Sequence, residues 1–236
     1  MCRILALETS EKNAAVAAWE KDRLILEIRP EGRSAQTLAP AIQELLDRLG
    51  WKSRAVQCVA VGIGPGSFTG LRVGMTTAKM FAYATGAKLI GIDTLEALAA
   101  AVQSETKRIP KKVSVAVDAQ RGEVVAQNFE IDGDLPVPLG PQRIIPAEKW
   151  WSFGKESGDS ISFSGPVLHR IEKNVPDEIL LEDRTCWSPQ ASFIGKIASK
   201  RFQQGKFDDL WTLLPRYSRP SAAEERIVNC EYTENR

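Results

Sequence analysis

The alternation of apolar and polar positions divides the chain into two cycles. "RILALETS" (3–10) is a short apolar run closed by polar turn residues, and "AAVAAWE" (14–20) and "RLILEIRP" (23–30) follow at hairpin spacing. The three read as strands. In "SAQTLAPAIQELLDRLG" (34–50), Leu38, Ile42, Leu45 and Leu49 fall on one helical stripe, and Gly50 supplies the stop. Pro40 cannot donate a backbone hydrogen bond, so it is expected in the first turn or at a kink. "VQCVAVGIG" (56–64) is almost unbroken in its apolar character and reads as a strand buried on both faces. A helical pattern follows at once, then "KLIGID" (88–93) as a strand and "TLEALAAAV" (94–102) as a helix. The first hundred residues thus predict β-β-β-α-β-α-β-α.

The polar, proline-bearing "SETKRIPKK" (104–112) reads as the boundary between an N-terminal α/β lobe (1–108) and a C-terminal α/β lobe (109–236). A second cycle starts there. "VSVAVDA" (113–119) and "EVVAQNFE" (123–130) predict a hairpin about "QRG" (120–122). Residues 132–146 are rich in proline and glycine and predict loop with one short strand. "AEKWWSF" (147–153) reads as helix, and "SISFSGPVL" (160–168) as a strand followed by Gly-Pro. "ASFIGKIASKRFQQG" (191–205) predicts a helix with Phe193, Ile197 and Phe202 inward. From Ser218 the chain is polar, and its last segment is expected to pack back or to be partly mobile. Trp19, Trp150, Trp151 and Trp187 are assigned to core or lobe-interface packing, since no basic residues interleave with them at regular spacing.

Composition narrows the classes. The chain has 236 residues, 43% of them hydrophobic, enough for one large domain or two lobes with their own cores. Its 31 basic and 30 acidic side chains leave a formal charge of +1, which gives no sign of a grip on nucleic acid by overall charge and leaves only a local basic patch open. Cys2, Cys58, Cys186 and Cys230 are scattered, without a CxxC pair, and read as free thiols in a reducing compartment. The N-terminus lacks a signal-peptide layout, and no apolar run reaches the roughly 18 residues needed to span a bilayer. The expectation is a soluble cytoplasmic protein with no membrane partner.

The chemistry turns on "VGIGPGSFTGLRVGMTTAKMFA" (61–82). No Lys-Ser/Thr follows the last glycine, so this is not a Walker A loop. The spacing Gly64-x-Gly66-x-x-x-Gly70 is not a clean dinucleotide fingerprint either, and Phe68 crowds the place of a pyrophosphate, although "KLIGID" does end in Asp93 as a ribose-binding acid would. The structural reading has Gly64-Pro65-Gly66 turning the chain and Ser67 or Thr69 capping the helix, whose free N–H groups could still accept an anion. Gly66, Gly70, Gly74, Ala78 and Ala82, spaced by four, lay a strip of small residues along one side. Glycine inside a helix costs about 1 kcal/mol relative to alanine, so something is expected to pack close. Arg72, Thr76, Lys79 and Tyr83 form another stripe, a candidate partner face or an ordinary solvated one. Asp118 ends a strand beside a tight turn, as a carboxylate that orients a phosphate-bound metal or as a turn acid before Gly122; Glu8-Thr9-Ser10 is open in the same way. The one histidine, His169, lies in a loop and reads as solvated, so no constellation supports self-sufficient catalysis.

Taken in order, "ILALETSEKNAAVAAWE", "VAVGIGPGSFTGLRVGMTTAK", "LIGIDTLEALA", "VSVAVDAQRGEVV" and, more weakly, "LLPRYSRPSAAEE" resemble the TsaB (YeaZ-like) family. The resemblance implies a two-lobed α/β fold of the actin/Hsp70/sugar-kinase (ribonuclease H-like) type. It implies a non-catalytic scaffold or dimerisation subunit of the complex that adds threonylcarbamoyl to adenosine 37 of tRNA. The implied partners are a TsaD-like catalytic subunit, a small TsaE-like ATPase and tRNA reached through the complex; a homodimer of the isolated chain is left open. No tightly bound cofactor or metal is implied, only weak ATP or ADP binding in the complex. The catalytic relative carries a His-x-x-x-His metal pair where this chain has Thr94 and Leu98, and leucine cannot ligate a metal. Where many family members carry His-Ser-Glu/Gln before the first helix, this chain reads Ser34-Ala35-Gln36. The alternative is a stand-alone enzyme, a glycoprotease-type metallopeptidase or a sugar-kinase-like phosphotransferase.

Overall fold

In the computed structural model, which describes residues 2–105, 112–131, 133–157 and 160–219, the first cycle folds as its pattern predicts. β1 (Arg3–Glu8), β2 (Ala15–Glu20) and β3 (Arg23–Ile28) form an antiparallel meander. After α1 (Ser34–Leu49), β4 (Cys58–Gly64) joins β1 in parallel, and after α2 (Phe68–Thr85), β5 (Lys88–Asp93) joins β4 in parallel. The sheet order is β3-β2-β1-β4-β5. β4 is buried at every position, as its unbroken apolar run requires. Gly50 closes α1 in the left-handed region at φ 61°, a conformation that costs glycine little. Pro40 lies inside α1, beyond the first turn, on the exposed side of the helix. α3 (Thr94–Glu105) completes the cycle.

The second sheet repeats this plan. β6 (Lys112–Gln120) and β7 (Glu123–Glu130) form the expected hairpin, with Gln120 at φ 65° and Arg121 at φ 54° in its tight turn. Residues 133–146 supply two short strands rather than one, β8 (Val137–Pro138) and β9 (Arg143–Pro146), both paired with β7. The first is only two residues long, too short to leave a periodic signal. α4 (Trp150–Lys155), β10 (Ile161–Ser164), α5 (Leu168–Ile171) and β11 (Leu180–Leu181) follow, with β10 parallel to both β6 and β11. Each lobe is therefore a hairpin extended by two parallel strands, the two-lobed α/β fold expected.

α6 (Ala191–Gln203) returns to the first sheet and packs on β1 and β2. The residues after it stay there. Asp208 pairs with Leu89 on the β5 edge, and Leu210 and Leu213 pack against the core beneath α1 and α2. The second half of the chain is thus not confined to the second sheet. α3 and α6 lie between the sheets, in one apolar cluster that takes Ile4, Ala6 and Ile90 from the first and Val113, Val115 and Phe129 from the second. Phe193 and Ile197 are buried there; Phe202 is only half-buried, its ring 5.3 Å from that of Phe207. Trp150 and Trp187 are core residues and Trp19 packs against the joint cluster, as expected. Cys2, Cys58 and Cys186 form no disulfide with one another, and no helix among the described residues is long and apolar enough to cross a membrane. The expected lobe boundary at 108/109, Cys230 and nearly all of the tail from Ser218 fall outside the described residues.

Candidate functional site

The glycine turn joins the buried end of β4 to α2. Ser67, not Thr69, is the N-cap, its Oγ accepting the Gly70 N–H at 3.2 Å. The small-residue strip faces inward, against the chain's own first turn. A Cβ on Gly66 would lie 2.6 Å from the Ser10 carbonyl oxygen, one on Gly70 would overlap the Thr9 carbonyl oxygen, and one on Gly74 would overlap Thr9 Oγ1. Ala78 and Ala82 continue the buried side. The strip is therefore a seat for α2 on residues 9–10, and the neighbour it packs against belongs to this chain.

Glu8, at the end of β1, is buried. Its Oε1 accepts the Ser10 N–H at 2.5 Å, while Oε2 has no hydrogen-bond partner. Gly62 of β4 makes the room, since a Cβ there would lie 2.6 Å from Oε2. Burial pushes the Glu8 carboxyl up to about 7, against the opposing pull of the neighbouring Ser10. The sequence carries Gly62 and Glu8 far apart, and only strand pairing brings them together.

A cavity of about 270 Å³ opens between the lobes, lined by Ser10, Lys12, Pro65 and Ser67 on one side and by Asp118 and Pro166 on the other. Asp118 serves its turn: its Oδ1 accepts the Gln120 N–H at 3.0 Å, and it pairs with Arg170 at 3.3 Å. Exposed His169 stands nearby, 3.5 Å from Ser188 Oγ. Glu11, half-buried at the same mouth, has its carboxyl raised by burial against a hydrogen bond from Ser188. A second cavity, of about 550 Å³, lies where the N-termini of α1 and α2 converge, with Lys12, Arg33, Ser34, Ala35, Ser67 and Thr69 on its walls. Gln36 lies one position further into α1, exposed.

Asp93 caps α3, its Oδ1 accepting the Leu95 N–H at 2.8 Å, and its Oδ2 takes a 2.5 Å bond from Gln142. Both of its oxygens are thus engaged within the chain. Thr94 and Leu98 are fully buried. Leu98 sits in the joint apolar cluster. Among the described residues no group of three or more His, Cys, Asp or Glu side chains is placed to hold a metal.

The polar stripe of α2 splits. Arg72 donates to the Tyr217 hydroxyl at 3.0 Å and lies 4.0 Å over the Phe68 ring, Lys79 donates to the Trp211 carbonyl at 3.3 Å, and the Tyr83 and Trp211 rings are 5.9 Å apart. Three of the four residues thus meet a strap, residues 206–219, that runs antiparallel along the helix. The strap crosses the glycine turn, where the Arg216 N–H donates to Ile63 O at 2.7 Å and Arg219 pairs with Glu123 of the second lobe. Thr76 faces the other way, into a cavity of about 390 Å³ between α1 and α2 that Ile42, Leu46, Met80 and Phe81 make mostly apolar. The strap escapes sequence reasoning because its contacts join residues more than 130 apart.

A family model described as "TsaD: tRNA N6-adenosine threonylcarbamoyltransferase" matches residues 30–235. The tRNA threonylcarbamoyladenosine biosynthesis protein TsaB of Escherichia coli is 32% identical over 253 aligned residues, which take in 97% of this chain and all of the relative. TsaB of Bacillus subtilis is 26% identical over 238 aligned residues, 97% of this chain and 99% of the relative. The solved structure of YeaZ from Pseudomonas aeruginosa, 24% identical, superposes with a TM-score of 0.78 over 92% of this chain and 100% of that one, a likeness of fold. The chain belongs to the TsaB (YeaZ-like) family, one branch of the proteins that the TsaD description covers.

Proposed function

We propose that this chain is a non-catalytic scaffold subunit of the cytoplasmic assembly that adds threonylcarbamoyl to adenosine 37 of tRNA. It pairs with a TsaD-like catalytic subunit, and the pair engages a TsaE-like ATPase, with ATP or ADP bound only weakly and within the complex. The observation that carries the reading is the open groove between α1 and α2. Its walls are mostly apolar, and Met80 on its rim is exposed. Two amphipathic helices that leave such a groove uncovered fit a partner's helices. The reading is supported by Thr94 and Leu98, which stand buried where the resemblance would place metal ligands. Electrophilic activation of an acyl group then falls to the partner.

Co-expression with the TsaD-like protein of the same organism, followed by size exclusion, tests the pairing. Wild type is expected to co-elute with the partner. Met80→Asp is expected to keep the melting temperature of the free chain and to weaken the complex at least about tenfold, since it sets a charge in an apolar contact. Threonylcarbamoyl transfer should require the partner; turnover by the isolated chain would overturn the scaffold reading.

A further inference from the structure

We propose that the outer face shared by α2 and the strap is a contact surface for a single-stranded stretch of RNA. Three large apolar side chains stand out there: Tyr83 is 66% exposed, Trp211 73% and Leu214 68%. Tyr83 and Trp211 form one aromatic unit, with ring centroids 5.9 Å apart, and Phe68 and Tyr217 form a second at 4.6 Å. Cations are set between them. Arg72 lies over Phe68 and bonds Tyr217, and Lys79 bonds the carbonyl of Trp211. The row from Arg72 to Tyr83 runs about 16 Å along the helix, enough for a short unpaired segment.

The signs of charge select the occupant. α2 contains no acidic residue. Both acids of the strap are turned onto backbone donors, Asp208 onto the Gly91 N–H at 2.8 Å and Asp209 onto the N–H groups of Trp211 and Thr212 at 2.9 and 2.8 Å. Arg216 turns off this face: its guanidinium lies 3.6 Å from Asp93, on the wall of a separate cavity with Gln142 and Arg201. A two-fold contact with a second copy would set this face against its own copy, with no acid on α2 to answer Arg72 and Lys79. Exposed rings alternating with cations instead suit unpaired bases and the phosphates between them, the bases stacking and the phosphates pairing. The choice of RNA rests on the tRNA-modification reading above. The surface is distinct from the groove on the α1 side of the same helix, so the two can fail separately.

The test uses the full chain, alone and bound to its TsaD-like partner, titrated at low salt with a labelled tRNA anticodon stem-loop and with a fully paired hairpin of equal length. The stem-loop is expected to bind more tightly than the paired hairpin. Trp211→Ala and Tyr83→Ala, both at exposed positions, should each weaken the stem-loop about tenfold without lowering the melting temperature, the order expected for one lost stacking partner. Lys79→Gln should flatten the logarithmic salt dependence by about 0.7, one phosphate contact. Ultraviolet cross-links should fall on the peptides that carry Tyr83 and Trp211. The proposal is overturned if the stem-loop binds neither the chain nor the complex at about 100 μM, the weak end of non-specific binding. It is also overturned if binding ignores all three variants, or if hydrogen exchange shows residues 206–217 protected by the protein partner without RNA. The size-exclusion result with Met80→Asp reports on the scaffold reading independently.

Discussion

The two lobes are variations on one unit, and they differ most where they are most alike. In each, a hairpin is extended by a parallel strand that ends in Gly-Pro: Gly64-Pro65 after β4 and Gly165-Pro166 after β10. In each, an acid closes or nearly closes the first strand of the hairpin: Glu8 on β1 and Asp118 on β6. In the first lobe Gly-Pro leads into an 18-residue helix, and the acid is buried with one oxygen unpaired. In the second it leads into a four-residue helix, and the acid is half-exposed and paired with Arg170. The difference teaches that one backbone plan tolerates opposite uses. The first lobe turns it into a rigid seat for a long helix, and the second turns it into a cleft wall.

The strongest way to break the comparison is to fill the two matched glycines. Gly165 sits at φ +131°, and a Cβ there would overlap the Ala116 carbonyl oxygen of the central strand β6. Gly165→Ala should therefore lower stability by about 3 kcal/mol or more in urea unfolding, the sum of strain and overlap. Gly64→Ala, at φ +106°, would meet Arg216 O at 2.5 Å. That oxygen belongs to the strap, which can lift, so the loss should be smaller and should come with a changed Trp211 fluorescence. Equal losses with an unchanged strap signal would show that the two turns are built alike.

The matched acids come next. With its carboxyl raised from the usual 4.5 to about 7, folded Glu8 keeps a proton that the unfolded chain has released. Its share of stability is thus present below about pH 4.5 and falls as pH rises towards about 7, by up to about 3 kcal/mol. Glu8→Gln should shrink the stability difference between about pH 5 and about pH 7.5, measured by denaturant titration at both. Burial also raises Glu11, Asp93 and Glu96, so the wild-type slope has several contributors and the variant isolates one. Asp118→Asn, which removes a surface ion pair, should cost no more than about 1 kcal/mol. A steeper pH dependence in Glu8→Gln than in wild type would refute the assignment.

Gly74 has no counterpart in the second lobe, whose helix is too short to carry one. Gly74→Ala should destabilise by about 2 kcal/mol through overlap with Thr9, and a more stable variant would show the seat to be open. A similarly small effect is expected at the strap. Arg72→Ala removes a guanidinium from the Phe68 ring and a donor from Tyr217, for about 1 kcal/mol, read as a lower melting temperature with an unchanged groove-side complex.

Local chemistry explains which of these features the sequence announces. The strand and helix order of the first lobe, the Ser67 cap, the hairpin about Gly122 and the crowding along Gly66, Gly70 and Gly74 all follow from spacing within one element or one turn. The burial of Glu8 depends on Gly62 across a parallel ladder. The loss of three of the four residues of the Arg72–Tyr83 stripe to the strap depends on residues 211 and 217, and the docking of α6 on β1 and β2 depends on the joint core. Those contacts are made by chain closure, which no periodicity encodes. The strands of two residues, β8 and β11, exist because a neighbour pairs with them and not because their composition demands it.

The strap also sets an order of events during synthesis. β5 is the outer strand of the first sheet, and its free edge is closed at Leu89 and Gly91 by Asp208, with Arg201 donating to Gly91 O at 2.9 Å. More than a hundred residues separate that edge from its cover. A ribosome that has delivered the whole first sheet still holds back the segment that seals it, so the nascent lobe waits with an open strand edge and an uncovered glycine turn until residues 208–216 emerge. Such an edge pairs readily with stray strands. Pauses or premature stops after residue 93 therefore yield adhesive fragments, while a chain that extends through the strap closes the lobe itself.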